Sequence, residues 1–76
     1  MDRGLVEEAC TELGVLEAGV PEDASEIRAA VQEAREWFTR SLTRMDAGFF
    51  EEAARFYGRG EICFFEARRM ARVSGL

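Results

Sequence analysis

The sequence contains no histidine, no lysine and no asparagine, and only one proline and one glutamine, Pro21 and Gln32. Without histidine, the commonest general base and the commonest nitrogen ligand for transition metals are both missing. Two cysteines, Cys10 and Cys63, are too few for a zinc site. Lacking a histidine partner, neither is poised as a nucleophile. They are expected to be reduced thiols, and a bond between them would require the first and third helices to pack together. No apolar run is long enough to span a membrane. The opening Met1-Asp2-Arg3-Gly4 has no basic head followed by an apolar stretch, so no secretory signal and a cytoplasmic location are expected. Gly58-Arg59-Gly60 is too short to match a phosphate-binding loop, and no strand precedes it. All ten basic residues are arginine. The missing asparagine and single glutamine fit a hot environment, where amides degrade, and the arginine bias equally fits a GC-rich genome.

What is present fits one small helical domain. The 76 residues are 47% hydrophobic and 33% charged. A chain of this size buries only roughly 60% of its unfolded surface, so oligomerisation is a common source of added stability. The formal charge of −5 is uneven, with residues 1–36 carrying −7 and residues 37–76 carrying +2. The acidic half argues against general nucleic-acid binding.

The periodicity predicts an all-α, antiparallel three-helix bundle over 1–76, with helices at about 3–14, 23–47 and 49–73, the long second and third forming a hairpin. In the first, Leu5, Val6, Ala9, Cys10 and Leu13 make one stripe. Gly14 is the expected stop, although Leu16 would continue the stripe beyond it. Gly19 and Pro21 punctuate the connection. Asp23 and Glu26 have the spacing of a capping box, with Pro21 as an alternative helix opening. The second helix repeats at three and four through Ile27, Ala30, Val31, Ala34, Trp37, Phe38, Ser41, Leu42 and Met45. Glu36 and Arg40 stand four apart in the favourable orientation for an ion pair. Gly48 ends the helix.

The third helix carries the most informative pattern. Ala53, Gly60, Ala67 and Ser74 lie seven apart, a line of small residues that lets a neighbouring helix approach closely. Phe49, Phe56, Cys63 and Met70 flank it on one side, and Phe50, Tyr57, Phe64 and Ala71 on the other. Two glycines, Gly58 and Gly60, weaken a helix interior by up to about 1 kcal/mol each. Because the small line passes through Gly60 in phase, one unbroken helix is expected.

The aromatic-rich stretch from Phe49 to Phe65 holds more apolar circumference than one stripe can hide. Surplus surface of this kind marks contact sites. Phe49, Phe56, Ile62 and Phe65 are therefore the expected interface residues, and self-association or docking on another protein is the expected role, with no enzyme activity, no cofactor and no membrane. One alternative is a Mg²⁺-dependent phosphohydrolase using Glu33, Glu36 and Glu52, with help from Asp46, since all-helical pyrophosphohydrolases space acids in this way. A weaker one is RNA contact through Arg55, Arg59 and Arg68. Solvated helix faces and local pairs such as Glu51 with Arg55 explain these charges more simply.

The last forty or so residues resemble an archaeal family of short helical proteins of unknown function. The resemblance rests on Ala34, Trp37, Phe38 and Ser41, then Gly48, Phe50 and Ala53, and the terminal Gly75-Leu76. Arg59-Gly60 and Phe64-Phe65-Glu66 stand where that family has Tyr-Ala and Leu-Asp-Ala signatures. The resemblance implies a helical bundle and no particular activity. Gly-aromatic-x-x-Ala hairpins also occur in tetratricopeptide units, which repeat, and in helical toxin modules, whose ribonuclease motif needs a histidine.

Overall fold

Three helices account for nearly the whole chain in the computed structural model: α1 (Arg3–Ala18), α2 (Ser25–Asp46) and α3 (Phe50–Val73). The structure describes residues 2–76; Met1, the first residue of the expected domain, lies outside them. The bundle is an elongated rod, 40 × 16 × 16 Å. No described helix is long and apolar enough to cross a membrane.

The helices start and stop for identifiable reasons. Asp2 caps α1, its carboxylate accepting from the Gly4 N–H at 3.0 Å. Contrary to the expected stop, α1 runs through Gly14 to Ala18. A helical glycine costs about 1 kcal/mol. Beyond Gly14, Leu16 packs against the core and Glu17 binds Arg35, which offsets that cost. The helix ends where Pro21 disfavours helix at Val20, whose side chain turns into the core. The expected capping box does not form. Pro21–Ala24 close a turn through their backbone, α2 begins at Ser25, and no side chain caps it. At the far end of α2, Gly48 takes φ +86°. The Phe49 N–H then reaches the Arg44 carbonyl at 2.8 Å and the Gly48 N–H reaches Met45 at 3.0 Å. This pairing satisfies carbonyls left open at a helix end and needs a residue tolerant of positive φ.

α2 and α3 form the main hairpin, and the small-residue line is its seam. Ala53, Gly60 and Ala67 are buried, while Ser74, the last member, caps α3 and is exposed. Gly60 receives the Phe38 ring so closely that a Cβ there would lie 2.5 Å from Phe38 Cε1. One turn toward the loop, the buried Ser41 hydroxyl donates to the Ala53 carbonyl at 2.7 Å. Both contacts depend on the missing side-chain bulk of α3. The helix passes through Gly58 and Gly60 without a break.

α1 runs antiparallel to α2 and touches α3 only lightly. Val6, Ala9 and Leu13 enter the common core with Val31, Ala34, Phe38 and Phe64. Polar clamps fix both ends of α1 to α2: Arg3 pairs with Asp46, and Arg35 grips Glu17 with contacts of 2.6 and 3.1 Å. Because α1 and α3 barely meet, Cys10 and Cys63 stay apart as free, half-buried thiols.

A candidate association face on helix three

At 100° per residue, α3 presents several distinct surfaces. Its inner face carries the small line, Phe64 and Ala71. One flank, with Phe56 and Cys63, lies along α2; the opposite flank, with Tyr57, looks toward α1. The remaining arc faces neither helix. Along it run Phe50, Ala54, Gly58 and Ile62, each four residues from the last, with Phe65 at its edge, where it also lines the cleft toward Ala9 and Glu12 of α1. Phe50 is 55% exposed, Ile62 69% and Phe65 58%. Glu51, Arg55, Glu66 and Arg69 border the strip and are all exposed. Midway along it, Gly58 leaves a notch: a Cβ at this position would meet nothing within 4 Å.

The four expected interface residues therefore separate. Ile62 and Phe65 lie on the outward strip. Phe49 is 54% exposed but sits in the hairpin turn just before α3. Phe56 is drawn inward: its ring lies 5.5 Å from Trp37 and is covered by the Arg44 guanidinium at 5.8 Å. Phe50, Ala54 and Gly58 complete the strip instead. Their four-residue spacing with Ile62 was the available signal, masked by the stronger seven-residue line on the inner face.

The alternative metal reading is not supported by the geometry. Among the described residues no three His, Cys, Asp or Glu side chains gather within metal-binding reach. Glu52 turns to Arg44 at 3.7 Å, Glu33 lies beside Cys63 on the α2–α3 flank, and Glu36 points away from the core. The three arginines of the nucleic-acid reading are likewise dispersed. Arg59 stacks on Trp37 at 5.2 Å, Arg68 covers Phe64 at 4.7 Å on the opposite flank, and Arg55 projects outward between them.

The expected Glu36–Arg40 and Glu51–Arg55 pairs are also absent among the described residues. Arg40 lies over the other edge of the aromatic pair, 5.0 Å from the Trp37 ring. A guanidinium on an indole face is worth about 0.5–1 kcal/mol at an exposed site, at least as much as an exposed i,i+4 ion pair.

The titratable groups add little reactive chemistry. Burial pushes both thiols up, Cys10 against the opposing pull of Arg35 and Cys63 with help from Glu33. A raised thiol holds less thiolate, the reactive form. Burial, reinforced by Glu61, also raises Tyr57. A surface cleft of about 440 Å³ lies between the start of α2 and the end of α3 and is lined in part by Ile27, Arg69 and Met70.

No protein-family model, curated protein or solved structure matches this chain.

Proposed function

We propose that this chain is a protein-association module that buries the outward strip of α3 against another copy of itself. One observation carries the reading: Phe50, Ile62 and Phe65, each more than half exposed, stand on the side of α3 turned away from its inner face. Contiguous apolar surface framed by charge is the usual anatomy of a contact site. The chain's size supports the same view, because a core this small gains from further burial. The work done is recognition: apolar burial supplies affinity and the bordering charges set orientation.

Sedimentation over a range of protein concentrations tests the reading. The mass of the wild-type chain should rise toward that of a dimer, and Phe65→Asp should return it to the monomer while leaving the helical circular dichroism intact. A monomer at every concentration, with no difference between the two proteins, would overturn it.

A further inference from the structure

The outward strip of α3 is charged antisymmetrically along its length. Glu51 stands near its start and Arg69 near its end, eighteen residues apart. Eighteen residues are five turns of helix, about 27 Å, so the two lie on one line along the rod. On one border of the strip, Arg55 and Glu66 repeat the relation with the signs exchanged. Both pairs are centred near residue 60, and so are Gly58 and Ile62. Ala54 and Phe65 share nearly the same centre.

We infer that two copies of the chain pack antiparallel through α3, about a two-fold axis near residue 60, with Ile62 of each seated in the Gly58 notch of the other. This rests on the association reading above and specifies its geometry. A two-fold axis perpendicular to the paired helices places residues of equal offset from the centre opposite one another. Glu51 then faces the second copy's Arg69, and Arg55 faces its Glu66. Large meets small at the same register: Ile62 over Gly58, Phe65 over Ala54.

The intrachain pairing prepares this network. Arg69 already holds Glu66 on its own helix. On docking, that pair extends at both ends into a chain of alternating charge: Glu51, Arg69, Glu66, Arg55, with the outer two supplied by the second copy. Glu61, near the centre, lies beside Tyr57 on the flank toward α1. A parallel arrangement would instead set Glu51 against Glu51, Arg55 against Arg55 and Arg69 against Arg69. Like charges in direct opposition disfavour that alignment.

The notch supplies an independent reason. Gly58 weakens the interior of α3, and none of the described residues beyond its own turn of helix lies within 4 Å of where its side chain would begin. A facing isoleucine in the second copy gives that space an occupant.

Charge exchange tests the arrangement. Dissociation constants for the wild type, Glu51→Arg, Arg69→Glu and the double variant are measured by sedimentation equilibrium. Each single variant places like charges opposite one another twice per dimer, and should weaken it roughly tenfold; the double variant should recover most of that loss. Gly58→Leu should also weaken the dimer while raising the thermal stability of the monomer, which separates loss of docking from loss of folding. A wild-type dimer whose affinity ignores all three charge variants would overturn the antiparallel arrangement and leave association standing. A wild-type chain that never dimerises would overturn both.

Discussion

Gly58 and Gly60 are two residues apart in α3 and so point to opposite faces of it. Gly60 lies under the Phe38 ring, in the space that a methyl group would need. Gly60→Ala should destabilise the chain by about 1–2 kcal/mol, since the steric conflict exceeds the gain in helix propensity. Gly58 has open space around it, so Gly58→Ala should stabilise the monomer by up to about 1 kcal/mol. Urea unfolding followed by circular dichroism compares the two; equal effects would contradict the close approach at Gly60. Ser41→Ala removes the buried bond to the Ala53 carbonyl and should lower the same unfolding free energy by about 1 kcal/mol.

Among the helices, α1 is the one most weakly held. It packs on α2 and barely on α3, and partly exposed polar clamps fix its two ends. Its amides should exchange faster than those in the middle of α2 and α3, because fewer apolar contacts must open to release it. The Glu17–Arg35 clamp also makes part of the stability pH-dependent. The hydrogen bonds from Arg35 hold the Glu17 carboxyl below its ordinary value near 4.5. A carboxyl with a lowered folded pKa stabilises the fold above its unfolded value, and that contribution is lost as pH falls through the folded one. Glu17→Gln should therefore be less stable than the wild type at neutral pH, by less than about 1 kcal/mol for a clamp this exposed. The gap should close as the medium is acidified. A gap unchanged by acid would show that Glu17 acts through packing rather than charge.

The whole molecule is a slender rod with one uncovered side. A core built from a chain this short leaves little reserve, so binding to the folded state alone should register as stability. Under the proposed association, the thermal unfolding midpoint should rise with protein concentration, and Phe65→Asp should abolish the dependence. A midpoint independent of concentration in both proteins would contradict the proposal. The pairs that fix α1 do not follow the uneven charge of the sequence: Arg35–Glu17 joins two residues of the acidic first part, and in Arg3–Asp46 that part supplies the cation.

The sequence alone determined the three helices, the unbroken course of α3 and the line of small residues whose first three members, Ala53, Gly60 and Ala67, are buried, because helical periodicity is local: each residue's angle on its helix follows from its number. It also marked Ile62 and Phe65 as surplus apolar residues, by their distance from that line. Only the tertiary structure decided which flank meets which neighbour. Phe56 went to Trp37 and Arg40 to the same ring, while Glu52 went to Arg44 and left the acidic cluster unassembled. The continuation of α1 past Gly14 was settled in the same way, by Leu16 and Glu17 finding partners on the rest of the bundle. Spacing fixes the direction in which a side chain points, but the partner it meets is set by residues far along the chain, through packing that no local period encodes.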